Sequence, residues 1–90
     1  MSIKVIVSLN IKNFESFSKV FNSEEAKNAR KKVGLIAKAH KNLDNPTNAV
    51  VLGTVTSKEN FLGFISTSEQ GERMKSAGVI SEPTVIFLED

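Results

Sequence analysis

The sequence predicts an α+β fold, with four antiparallel strands in one sheet and helices packed on a single face of it. Three observations carry this. Four short segments rich in β-branched residues read as strands: Ile3–Leu9, Val33–Asn42, Ala49–Thr56 and Thr84–Leu88. Phenylalanines recur at helical spacing after the first strand and again after the third. The resulting order is β-α-β-β-α-β, with each helical region broken in two, which is the ferredoxin-like arrangement.

In the first segment Ile3, Val5, Val7 and Leu9 fall on one face, and Lys4, Ile6 and Ser8 on the other. Asn10 to Asn13 is a polar connection, and Asn13 suits an N-cap. Phe14, Phe17, Val20 and Phe21 then form the stripe of a short amphipathic helix. Asn22-Ser23-Glu24-Glu25 interrupts it and opens a second helix over Glu24 to Lys32. The second strand, Val33 to Asn42, places Val33, Leu35, Ala37 and Ala39 on one side and Ile36, Lys38 and His40 on the other. Asn42 to Thr47, dense in turn formers, links it to the third strand as a hairpin loop. That strand sorts into Ala49, Val51, Gly53 and Val55 against Val50, Leu52, Thr54 and Thr56.

Ser57 caps a helix carrying Phe61, Leu62, Phe64 and Ile65, and Thr67-Ser68-Glu69-Gln70 is a capping box for the next. This last helix ends at Gly78, a natural C′ residue. Val79 to Pro83 connects it to the final strand, Thr84–Leu88.

Ile3, Val5, Val7, Leu9, Leu35, Val51 and Val55, together with Thr84, Ile86 and Leu88, make an apolar face expected to lie under the helices. The opposite face holds Lys4, Ser8, Lys38, His40 and Thr54 beside Ile6, Ile36, Val50, Leu52, Val85 and Phe87. A face meeting only water alternates to polar, so this second apolar set predicts an interface in which two copies pack sheet to sheet. Ile6, Ile36, Val50, Leu52, Val85 and Phe87 are the interface candidates; Lys4, Ser8, Lys38, Thr54 and Phe87 are candidates for lining a ligand cavity.

Composition narrows the chemistry. Ninety residues, 40% of them hydrophobic and 24% charged, suit a single domain over 1–90. The absence of cysteine excludes disulfides, thiolate metal sites and thiol nucleophiles. No apolar run approaches the roughly 18 residues of a membrane span, and the N-terminus lacks a signal-peptide layout, so a cytoplasmic protein without a membrane partner is expected. The net charge of +2 is uneven: residues 1–45 hold nine Lys/Arg against four Asp/Glu, and residues 46–90 three against six. Lys27, Arg30, Lys31, Lys32, Lys38 and Lys41 supply the excess, which reads more simply as a solvated helix face than as a phosphate site. Nucleic acid is therefore not an expected partner. The second sheet face also lacks the base-stacking aromatics of RNA-recognition domains in its central strands. Asn10-Ile11-Lys12-Asn13 has neither the arginine of an acylphosphatase-like loop nor the glycine of an amino-acid-binding regulatory module.

The strand order and semi-apolar second face together resemble the dimeric α+β barrel superfamily. Phe14, Phe17 and Phe21, Ser23-Glu24-Glu25-Ala26, Gly34-Leu35, the Asp44 to Val51 stretch and Lys58-Glu59-Asn60-Phe61-Leu62-Gly63-Phe64 also resemble small uncharacterised proteins of marine cyanobacteria. The superfamily resemblance implies homodimerisation. It includes antibiotic-biosynthesis monooxygenases, haem-degrading proteins, muconolactone isomerases and non-catalytic stress proteins, so it implies no one reaction.

His40 is the single histidine and the one side chain that ordinarily titrates near neutrality. Asp44 is its nearest carboxylate in sequence, and no second His or Cys exists to share a metal, so neither metal nor cofactor is expected. The expected function is a non-catalytic small-molecule-binding or stress-related homodimer taking a small apolar or aromatic ligand. The rival expectation is a cofactor-independent monooxygenase- or isomerase-like enzyme using His40, with Lys38 or Ser8 polarising a substrate oxygen.

Overall fold

A computed structural model describes residues 3–89. Its elements are β1 (Ile3–Asn10), α1 (Phe14–Phe21), α2 (Glu24–Lys32), β2 (Ile36–Lys41), β3 (Asn48–Val55), α3 (Lys58–Ile65), α4 (Ser68–Ser76) and β4 (Thr84–Glu89). The sheet runs β2-β3-β1-β4, and each neighbouring pair is antiparallel. This is the ferredoxin-like α+β fold that the sequence predicts.

The polar residues that break the hydrophobic pattern start the helices. The side chains of Asn13, Ser23, Ser57 and Thr67 accept hydrogen bonds from the backbone N–H of Ser16, Ala26, Asn60 and Gln70, at 2.8, 3.2, 3.0 and 3.1 Å. Each satisfies a donor that the first turn leaves open. Two glycines end helices in the left-handed region, Gly34 at φ +70° and Gly78 at φ +86°. After α2 the N–H groups of Gly34 and Leu35 return to the carbonyls of Lys31 and Arg30. After α4 those of Gly78 and Val79 return to Lys75 and Met74. Both are Schellman closures. The first explains why β2 begins at Ile36 and not at Val33: the chain from Val33 to Leu35 is committed to closing α2.

Val5, Val7, Leu9, Leu35, Val51 and Val55 are buried against the helices, with Phe17 and Phe61 above them. Ile11, in the stretch read as a polar connection, is fully buried because it bridges to Val79 and its N–H bonds to Thr47.

The last strand faces the other way from expectation. Register pairs Val5 with Phe87 and Val7 with Val85, so Val85 and Phe87 share the helix-covered face. Ile6 pairs with Ile86, Lys4 with Leu88 and Ser8 with Thr84, so Thr84, Ile86 and Leu88 lie on the open face. A one-residue change of register exchanges every side chain of a strand between faces. With Val85, Ile86, Phe87 and Leu88 all apolar, alternation alone does not fix the choice.

Gly53 shows how tightly β2 and β3 meet. A Cβ there would collide with the Ile36 carbonyl oxygen and lie 2.9 Å from the Ala37 Cβ, so the bare glycine lets β2 approach. Gly53→Ala gains about 0.5–1 kcal/mol from lower chain entropy, but forcing β2 aside costs about 1–3 kcal/mol. A net loss in chemical denaturation is expected, and a stabilised variant would show that β2 pairs less closely.

Candidate functional site

The two sides of the sheet offer two sites. On the open side, register lays out three rows across β2, β3, β1 and β4. Ile36, Thr54, Lys4 and Leu88 form the first; Lys38, Leu52, Ile6 and Ile86 the second; His40, Val50, Ser8 and Thr84 the third. Lys4, Ser8, Lys38 and Thr54 thus do share one face, while Phe87 does not join them. Ser8 Oγ accepts a hydrogen bond of 3.0 Å from Asn48 Nδ2. Ile36 is 77% exposed, Ile86 49%, Leu52 44% and Leu88 41%. The apolar patch expected on this face is present, with Ile86 and Leu88 standing where Val85 and Phe87 were expected.

His40 is exposed at the end of this face, on β2 opposite Val50. It does not border the space between helices and sheet. The basic residues also part company: Lys27, Lys31 and Lys32 are exposed on α2 and Lys38 on the open sheet face, whereas Arg30 turns inward.

On the covered side lies a cavity of ≈ 80 Å³, well above the roughly 10–15 Å³ that one water needs. Val7, Leu9 and Val51 form its floor, and Phe17, Phe21, Phe61 and Phe64 belong to its walls. The Phe17 and Phe21 rings stack with centroids 5.7 Å apart, and Phe61 meets Phe87 edge-on at 5.6 Å. The phenylalanine stripes therefore do two jobs, closing the core and bounding a space.

Three polar residues interrupt this lining: Arg30 from α2, and Gln70 and Arg73 from α4. The Arg30 guanidinium carbon sits 3.9 Å from the Phe21 ring centroid, a cation–π contact. Burial, and then the charge of Arg73, push the Arg30 pKa below its ordinary value. The Arg73 side chain is only 9% exposed. Its Nη2 meets Glu25 at 3.3 Å and Glu69 at 3.1 Å, both acids being largely in water. Its Nη1 donates to Gln70 Oε1. That bond holds the Gln70 side chain on Arg73, away from the return bond to Thr67 that a full capping box would make. Arg73 Nε is buried and has no acceptor among the described residues.

By sequence alone Arg30 belongs to a solvated basic cluster, and Arg73 stands in no motif. The available signal was the face on which they stand. Gln70, Arg73, Met74 and Ala77 follow i, i+3, i+4, i+7 spacing, so Arg73 shares the stripe that turns to the core.

No family model matches the chain, and neither does any curated protein. Solved structures do match. A protein from Caulobacter crescentus provisionally named an antibiotic biosynthesis monooxygenase is 17% identical with a TM-score of 0.74, covering 99% of this chain and 89% of its own. SnoaB, a cofactor-independent oxygenase from Streptomyces nogalater, is 12% identical with a TM-score of 0.69, covering 99% and 94%. A monooxygenase from Streptomyces coelicolor, solved in complex with Nanaomycin D, is 14% identical with a TM-score of 0.67, covering 99% and 87%. At these identities the likeness shows the fold alone. The narrower resemblance to cyanobacterial proteins has no support among them. The expectation of a non-catalytic binding or stress-related protein is corrected by these neighbours, whose names are those of monooxygenases and favour the rival reading. No helix among the described residues is long and apolar enough to cross a membrane.

Proposed function

We propose that this chain is an oxygenase of the cofactor-independent kind, acting on a planar aromatic substrate held between the helices and the sheet, and that it works as a homodimer joined through the open sheet face. The observation that carries the reaction is the phenylalanine-walled cavity with two arginines on its rim, the Arg73 side chain 9% exposed and Arg30 partly buried. The names of the structural neighbours support it, SnoaB above all. The dimer rests on the four exposed apolar side chains of the open face, a patch that a small protein rarely leaves wet.

The chemistry follows from what the cavity contains and lacks. An aromatic-flanked methylene loses a proton to give a carbanion delocalised into the rings. The anion passes electrons to dioxygen, a C–O bond forms, and protonation gives a hydroperoxide. Loss of water then leaves a ketone, so one oxygen atom ends in the carbonyl and the other in water. The substrate carbon gives up four electrons and dioxygen takes them. Among the described residues, no histidine or carboxylate lines the cavity. Acidity must therefore come from the substrate, and the positive charges of Arg30 and Arg73 favour its ionised form. Guanidinium groups stay protonated across the working range even when burial lowers their pKa, so they act as fixed charges.

The test is oxygen uptake with anthrone substrates. Turnover should rise with pH through one ionisation, that of the bound substrate, and His40→Ala should leave it unchanged. Arg30→Gln removes part of the field on the anion and should lower kcat by about 100-fold. No uptake with any anthrone, or an undiminished rate in Arg30→Gln, would sink the reading.

A further inference from the structure

We infer that the cavity selects an aromatic ligand bearing a carboxylate, and that Arg73 Nε and the Arg30 guanidinium receive it. This rests on the cavity being the ligand site proposed above, and it adds the chemical class of what enters. Arg73 is held at its solvent end, where Nη2 meets Glu25 and Glu69 and Nη1 meets Gln70. An arginine needed only to join these surface groups has no reason to be nine-tenths buried with its Nε–H lacking an acceptor. A buried donor without a partner is costly, so a ligand that supplies the acceptor gains more than one that merely fills space.

Charge fixes the type of acceptor. Arg30 has a ring beneath it and a second cation nearby, and no carboxylate pairs with it among the described residues. Glu25 and Glu69, about four-fifths exposed, are screened by water and compensate Arg73 only at its outer end. One net positive charge is left facing apolar walls, which suits a monoanion. Both arginines stand in the last turns of their helices, where the helix dipole favours cations and opposes a concentrated dianion such as phosphate. The phenylalanine walls give the rest of the ligand its aromatic character.

Calorimetric titration of benzoate and 2-naphthoate against their neutral isosteres benzamide and 2-naphthamide tests this without turnover. The acids should bind wild type at least ~10-fold tighter than the amides, the effect of one hydrogen bond between charged groups. That ratio should be constant between about pH 6 and 9, because a carboxylate is already ionised there. It should fall toward one in Arg73→Lys and in Arg30→Gln, through a loss of acid affinity larger than any loss for the amide. The wild-type comparison needs no variant, so a variant that folds poorly does not weaken the test. Equal binding of acid and amide overturns carboxylate selection and leaves the aromatic cavity standing. Binding of neither removes the cavity as a ligand site and both proposals with it. Acid preference without oxygen uptake from any anthrone supports carboxylate selection and removes the oxygenase.

Discussion

Leu52→Asp is expected to convert the assembled protein into a folded monomer. Leu52 is central in the open face, in register with Ile6 on one side and Lys38 on the other. It is 44% exposed in the single chain, so replacing it removes little burial from the fold itself. In a lone subunit the new carboxylate has water, and Lys38 across the strand pair supplies an opposite charge. In a sheet-to-sheet dimer the same carboxylate is trapped among Ile6, Ile86 and their counterparts in the second copy. Burying a charge with no paired partner costs several kcal/mol. A loss of about 3–4 kcal/mol weakens association by roughly 100- to 1,000-fold, since each 1.4 kcal/mol is a factor of ten. Sedimentation velocity over a concentration series reads this directly, and circular dichroism checks that the monomer is folded. A variant that sediments as wild type does, or a wild type already monomeric at tens of micromolar, removes the open face as the dimer surface.

What the sequence made legible has a physical pattern. Helix starts were readable because a capping side chain acts on donors two or three residues away, as Asn13, Ser57 and Thr67 do. The faces of β1 and β3 were readable because Lys4, Ser8 and Thr54 mark one side as less apolar than the other. β4 carries no such mark across Val85–Leu88, and its orientation is settled only by pairing with β1, some eighty residues away in the chain. The polar side chains of the cavity were hidden for a related reason. His40 stands out by its chemistry, but where it points depends on which side the helices cover. Arg73 belongs to a residue type usually solvated, and only its company with Met74 and Ala77 on one helix stripe betrays its burial.

The orientation of β4 is itself open to a decisive pair of substitutions, because adjacent residues on a strand answer to different equilibria. Phe87 packs edge-on against Phe61 at 5.6 Å and lies beside the buried core, with Lys58 Nζ 5.3 Å from its ring centroid. Phe87→Ala removes that contact and leaves a void over the sheet. Because Phe87 is half-buried, the cost should sit at the low end for such truncations, about 3 kcal/mol. That corresponds to a fall in Tm of roughly 12–24 °C for a chain of this size. Self-association should be unchanged, since Phe87 does not reach the open face. Ile86→Asp is expected to do the reverse, dissociating the dimer while sparing the fold of the single chain, in which Ile86 is already 49% exposed. Unfolding and association are linked, so both variants are compared with wild type at one protein concentration, low enough that every chain is monomeric in the stability measurement. Were β4 turned over, the assignments would exchange: Phe87→Ala would loosen the dimer and Ile86→Asp would bury a charge under the helices and unfold the protein. The two outcomes share no intermediate result, because a strand side chain in this sheet faces either the helices or the open side.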